Sequence, residues 1–170
     1  MDLKAYIRDV PNFPIEGVIF RDITPLLRSP AAFAEAVDRL EVYCRTKQPD
    51  VIVAIEARGY ILAAPLALRL GVGFVPARKP GKLPWRTIRE EYQLEYGLAA
   101  LEIHEDVITA GQRVVIVDDV IATGGTLNAT RRLVERQAGT VEGIACLIEL
   151  TFLNGRRALD GTELFSVLTY

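Results

Sequence analysis

The stretch from Val114 to Thr126, VVIVDDVIATGGT, constrains the chain more than any other. It begins with a short apolar run of the kind found in strands covered on both faces of a parallel sheet. Two adjacent acids, Asp118 and Asp119, then stand at the strand's carboxyl edge. Burying both without partners is costly, so they require a hydrated or ligand-filled cleft. Behind them Ala122, Thr123, Gly124, Gly125 and Thr126 bring two glycines and two hydroxyls to a helix start. Unpaired backbone N–H groups and the helix dipole favour an anion there, and glycine lets the backbone approach it closely. The vicinal hydroxyls of a sugar suit the acids, and a phosphate on the same sugar suits the loop. No Gly-Lys-Ser/Thr follows, so the loop is not that of a nucleoside triphosphatase.

The rest of the chain supplies a frame for this loop. Residues 2–10 read as a short amphipathic helix closed by Pro11 and Pro14, and Val18, Ile19 and Phe20 as a short extended piece. Ser29 caps a helix that opens at Pro30 and runs to about Lys47. Residues 51–55 form a second buried strand, and Glu56-Ala57-Arg58-Gly59 is its exit loop at the same sheet edge. Residues 60–70 read as helix, with Pro65 expected to kink it or confine regular helix to its later part, and Gly71 closes it. Further strands are expected at residues 73–77, 98–103, 113–117, 141–150 and 163–168, with a helix from about Thr126 to Ala138. A long hairpin or loop reaches from Arg78 to about Tyr96.

Strand, glycine loop, helix and strand in succession give an α/β fold with a mainly parallel central sheet flanked by helices, and ligands gathering beyond the strands' carboxyl ends. A length of 170 residues suits one domain. The net charge of -2 gives no general affinity for polyanions, so nucleic acid is not an expected partner and phosphate must be handled locally. One local cluster is basic: Arg78, Lys79, Lys82, Arg86 and Arg89, with no acid between 78 and 89. It reads either as a solvated loop face or as a surface built for an anion. Cys44 and Cys146 show no CxxC spacing and read as buried or idle thiols. The start is too broken by charge for a signal peptide, and no apolar run approaches a membrane span of ~20 residues. The cytoplasm, and no membrane partner, is the expectation. His104, beside Glu105 and Asp106, reads as a surface residue rather than a ligand.

The segment 114–126 resembles the phosphoribosyl pyrophosphate signature of the type I phosphoribosyltransferases, in which apolar residues and two acids precede a Thr-Gly-Gly/x-Thr loop. The resemblance implies that Asp118 and Asp119 hold the ribose hydroxyls and that Ala122, Thr123, Gly124, Gly125 and Thr126 bind the 5-phosphate. It makes Glu56, Ala57, Arg58 and Gly59 the pyrophosphate loop, with Arg58 as its arginine. Arg78-Lys79-Pro80-Gly81-Lys82-Leu83-Pro84 is similar to the mobile lid of the adenine-specific branch, whose basic residues contact pyrophosphate. Lys79 and Lys82 are the matching positions, and residues 78–97 the lid hairpin. Leu94-Glu95-Tyr96-Gly97 matches the same branch, where the glutamate is the acid/base at the purine; Glu95 otherwise reads as one more solvated acid. Residues 13–25 resemble that branch's N-terminal hood, residues 1–30 here. This implies that Phe20 stacks on the base while backbone near Ile19 and Arg21 reads its amino edge, although the residues alone allow Phe20 to be a core aromatic.

Relatives acting on 6-oxopurines carry an aspartate just before the Thr-Gly loop, where this chain has Ala122. The resemblance therefore implies adenine and phosphoribosyl pyrophosphate as substrates and AMP and pyrophosphate as products. It also implies Mg²⁺ carried by substrate oxygens with no dedicated protein ligands, and a homodimer. Two rivals remain in view: a relative acting on xanthine or a 6-oxopurine, opposed by Ala122 and the hood, and a non-catalytic sensor of the same ligand, opposed by Glu95, Lys79 and Lys82.

Overall fold

Residues 2–10 do not form the helix that their apolar spacing predicts. Leu3–Tyr6 make one 3₁₀ turn, capped by the Asp2 carboxylate accepting from the Lys4 N–H. Arg8–Pro11 (β1) then pairs antiparallel with Ile19–Asp22 (β2), in register from Arg8↔Asp22 to Pro11↔Ile19. The partners of β1 lie well beyond one helical turn, so no local periodicity announces them. Thr24–Arg28 (α1) is a short helix that the sequence reading does not anticipate, with Pro25 in its first turn where a missing N–H costs nothing. Pro30–Lys47 (α2) follows as expected, and the Ser29 hydroxyl accepts from the Ala32 N–H at 3.3 Å. The structure, a computed structural model, describes residues 1–94 and 97–170, and these form two compact units, 1–39 and 40–170.

The second unit is built on Val51–Ile55 (β3), Arg58–Leu70 (α3), Gly73–Ala77 (β4), Thr87–Leu94 (β5), Gly97–His104 (β6), Arg113–Ile121 (β7), Gly125–Arg136 (α4), Thr140–Glu149 (β8) and Leu164–Thr169 (β9). Five strands form one parallel sheet in the order β4-β3-β7-β8-β9, while β5 and β6 pair antiparallel as a hairpin. The chain leaves β3 outward to β4 and returns to the other side of β3 at β7. That reversal opens a crevice at the carboxyl ends of β3 and β7.

Every residue of β3 is buried, as are Val114 to Val117 of β7 and residues 143–149 of β8. Each such Val or Ile side chain contributes about 1.5–3 kcal/mol by leaving water. α3 begins at Arg58, two residues earlier than its apolar pattern indicates, and continues through Pro65 instead of being confined to its later part. The proline lacks the N–H that would reach the carbonyl of Ile61, and Ile61 is 40% exposed, so water can take that carbonyl. Gly71 ends the helix with φ +68°, a left-handed conformation that glycine adopts without strain.

Two further expectations change. β7 does not stop at Val117 but runs to Ile121, because β8 continues to pair with it at Asp118↔Cys146, Val120↔Ile148 and Ile121↔Glu149. The two acids thus lie within a strand. His104 is half-buried: β6 runs on to include it, Gln137 donates to its carbonyl at 2.6 Å, and its Nε2 is buried without a hydrogen-bond partner among the described residues. Cys44 and Cys146 are both buried free thiols. Burial pushes the Cys44 thiol up to about 12, and burial followed by the nearby Asp118 and Asp119 charges pushes Cys146 up as well, so neither is reactive at neutral pH.

Candidate active site

The exits of β3 and β7 meet at a cavity of about 520 Å³. From the β3 side come Ile55, Glu56, Ala57 and Arg58; from β7 and its loop come Asp118, Asp119, Val120, Ala122 and Thr126; Lys79, Tyr92 and Leu101 complete the wall. Topology brings these segments together across more than sixty positions of sequence because both strands end at the same edge.

Asp118 and Asp119 are only 8% and 5% exposed, and the Asp119 N–H donates to Asp118 Oδ1 at 2.9 Å. Burial first, then the negative charge of Asp119, holds the Asp118 carboxyl well above the ordinary aspartate range; Arg58 works against this. Arg58 Nε lies 2.5 Å from Asp119 Oδ2. The contact is an ion pair without the angle of a directed hydrogen bond, and Oδ2 is buried with no hydrogen-bond donor among the described residues. Among the described residues no group of three or more acidic, histidine or cysteine side chains could hold a metal ion.

The two loops are held from beneath by glycines. A Cβ on Gly59 would stand 2.9 Å from Asp118 Oδ1 and 3.2 Å from Asp118 Cα, so the start of α3 leans directly on the acid-bearing strand. The Glu56–Ala57 peptide is cis. Glu56 accepts from Arg78 Nε at 2.7 Å and from the Lys79 N–H at 2.6 Å. Burial pushes its carboxyl up, but these donors outweigh it and bring it below the ordinary value. Glu56 therefore brackets the residue that carries Lys79 into the cavity. Lys82 is exposed and outside the lining; its carbonyl accepts from Arg78 at 3.1 Å.

Gly124 precedes α4 with φ +86°, no side chain caps the helix, and no acid occupies its first turn. Its leading N–H groups face no competing protein carboxylate within the helix itself, the condition for taking an anion. Thr123 is exposed at the loop's tip. Two supports of this loop are absent from the sequence reading. Gly155 packs against it so closely that a Cβ on Gly155 would be 2.3 Å from the Ala122 carbonyl, and one on Gly124 would be 2.3 Å from the Gly155 carbonyl. Tyr92, on β5, has its hydroxyl within hydrogen-bond distance of Thr126 Oγ1, at 3.2 Å. The Asn154-Gly155 dipeptide was a visible turn signal; nothing in the sequence singles out Tyr92.

Glu95 lies outside the described residues. Ile19, Phe20 and Arg21 belong to the first unit, where Phe20 is half-buried and meets Phe13 edge-on at 5.2 Å between ring centroids. Phe13, Ile15, Val18 and Ile19 leave an exposed apolar edge beside it.

A paired-acid strand, an arginine loop and an uncapped glycine helix start around one cavity are the parts of a phosphoribosyl-binding protein, and the phosphoribosyl transferase domain profile matches residues 24–161. Adenine phosphoribosyltransferase from Thermotoga neapolitana is 56% identical over 170 residues, the whole of both chains. The crystal structure of adenine phosphoribosyltransferase from Thermoanaerobacter pseudethanolicus superposes with a TM-score of 0.97 at 51% identity, covering 99% of this chain and 98% of that one. The Saccharomyces cerevisiae enzyme, complexed with an imino-altritol bisphosphate and adenine, gives 0.92 at 42% identity over 98% of this chain and 97% of that one. The chain belongs to the adenine phosphoribosyltransferase family.

Proposed function

We propose that the protein transfers the 5-phosphoribosyl group of phosphoribosyl pyrophosphate to adenine, giving AMP and pyrophosphate. The observation that carries this is the cavity itself, in which two buried acids, Arg58, Lys79 and Thr126 converge from separate segments. Asp118 and Asp119 accept hydrogen bonds from the ribose hydroxyls, and the 5-phosphate is held by residues 122–126 at the start of α4. Arg58 and Lys79 face the diphosphate and hold the charge that grows as the bond from the anomeric carbon to the diphosphate oxygen breaks. N9 of adenine forms the new bond on the opposite face, and Glu95 takes the ring proton through N7. Mg²⁺ fits here as an ion brought by the diphosphate, since it is held by substrate oxygens and water and needs no dedicated protein cage. When bound it supplies neutralising charge to the leaving group.

Residues 1–30 form the hood, with Phe20 stacking on the base and backbone at Ile19 and Arg21 reading its amino edge; residues 78–97, including Lys82, form the lid. The exposed apolar edge from Phe13 to Ile19 supports the first assignment. The cytoplasm suits two cysteines kept as buried thiols. A homodimer suits α3, whose Ile61, Ala64 and Leu68 leave an apolar face exposed, Leu68 at 84%. Leu68→Asp is expected to convert a species of twice the chain mass into one of 18.8 kDa in sedimentation equilibrium, with the circular dichroism spectrum unchanged.

The purified protein with Mg²⁺ and phosphoribosyl pyrophosphate is expected to release pyrophosphate with adenine at least ~100-fold faster, in kcat/KM, than with hypoxanthine, guanine or xanthine, because mismatched hydrogen-bonding edges leave buried polar groups unpaired. Faster turnover of hypoxanthine overturns the base assignment. Tight binding without turnover of any base indicates a sensor instead.

A further inference from the structure

The hairpin is tied down along part of its length. Glu90, on β5, is gripped by Arg132 and Arg136 of α4 at 3.3 Å each, and Arg136 also donates to the Arg89 carbonyl. Two residues further on, the half-buried Tyr92 ring lies over the beginning of α4: a Cβ on Gly125 would be 3.2 Å from Tyr92 Cδ2. Its hydroxyl lies within hydrogen-bond distance of Thr126 Oγ1, at 3.2 Å. Thr126 is held in place from its other side, because its carbonyl accepts from the Thr130 hydroxyl at 2.9 Å.

A threonine hydroxyl has one proton to give. Thr126 Oγ1 and the Tyr92 hydroxyl lie 3.2 Å apart, and either can donate to the other. A phosphate at the helix start offers acceptors, so Thr126 must turn its proton toward the ligand, which leaves its oxygen with lone pairs and no donor. The phenol of Tyr92 is already within hydrogen-bond distance and can donate to Thr126 Oγ1. We propose that Tyr92 is a positioning residue for the sugar phosphate. It orients the Thr126 hydroxyl by donating to Thr126 Oγ1 when a phosphate takes the Thr126 proton, and so fastens the hairpin to an occupied phosphate loop. The inference rests on the proposed role of residues 122–126.

The test uses the full chain and the Tyr92→Phe variant, which keeps the ring and its packing on Gly125. Calorimetric titration with ribose 5-phosphate is expected to show about five- to tenfold weaker binding in the variant, the loss of one net hydrogen bond. Titration with pyrophosphate, which lacks the sugar phosphate, is expected to be unchanged. KM for phosphoribosyl pyrophosphate rises by a similar factor while kcat stays within about twofold. In a Thr126→Val background, Tyr92→Phe is expected to cost nothing further. Equal affinity of parent and variant for ribose 5-phosphate overturns the inference alone, as does a parallel loss for pyrophosphate. A parent that binds no ribose 5-phosphate overturns the assignment of the loop itself, and the inference with it.

Discussion

Asp118→Asn is expected to make the unliganded protein more stable at neutral pH and on the order of 100-fold less active in kcat/KM. Both effects have one source. Asp118 is a carboxylate taken out of water and set beside Asp119, and its proton is correspondingly hard to remove in the folded state. The unfolded chain has no such difficulty. Below the ordinary value of 3.8 both states are protonated and the group costs nothing. As pH rises from there through the raised folded value, the unfolded chain releases a proton that the folded chain retains, and stability is lost. Asparagine has nothing to titrate, so the parent's Tm should decline across that range while the variant's stays flatter.

Scanning calorimetry above about pH 5 reads this cleanly, because Glu56 and Glu149 titrate in the opposite sense. Their carboxyls lie below the ordinary 4.5, so the stability they contribute is lost only on further acidification. The activity loss follows from the proposed mechanism, since asparagine offers the ribose one acceptor and no charge. A variant less stable than the parent at pH 7 would mean that the carboxylate is fully compensated in the fold, contrary to its burial beside Asp119.

Gly155→Ala is expected to cost about 1–3 kcal/mol of stability by overpacking and to raise KM for phosphoribosyl pyrophosphate by a larger factor than the fold alone explains. The new Cβ would meet the Ala122 carbonyl at 2.3 Å and Ile121 Cγ1 at 2.8 Å, and the first of these is backbone. Relief requires either the Gly155–Leu159 turn or the phosphate loop to move, and the turn is anchored. Arg156 donates to both oxygens of Glu149 at 2.7 Å, and Ser166 donates to the same carboxylate at 2.6 Å. The loop is the element that yields. A shift near 1 Å in a positioning group is worth roughly 100-fold in rate. Gly161→Ala serves as the control, because its φ of +80° strains any side chain while nothing lies within 4 Å. It should lose about 1–2 kcal/mol in urea unfolding with ribose 5-phosphate affinity unchanged. Equal loss of affinity in both variants would count against the loop as the site of damage.

What the sequence made legible and what it hid divide along one physical line. β3, α2, β7 and the glycine loop could be read because their signals are local: apolar runs, a Ser-Pro helix start, and two acids before paired glycines. The strand at Arg8–Pro11, the extension of β7 through its acids and the partial burial of His104 could not, because each depends on a partner outside its own segment of the chain. The same holds within the candidate site. Arg58, Asp118 and Asp119 were marked by residue type at a strand's end, whereas Tyr92 and Gly155 act by where the fold sets them. Neither tyrosine on a hairpin nor glycine in a turn carries a chemical signature of its own.

β7 occupies the middle of the order β4-β3-β7-β8-β9, whereas β5 and β6 form a separate two-stranded sheet whose only further backbone pairing among the described residues is the Arg78↔Glu102 bridge. Amide hydrogens of β7 near Asp118 should therefore be among the slowest in the molecule to exchange with deuterium, since releasing them means dismantling the sheet's centre, while those of the hairpin escape through far smaller openings. The acids are mounted on bedrock, and Tyr92 on a two-stranded ledge. Thermal agitation that loosens the hairpin leaves Asp118 and Asp119 where they were.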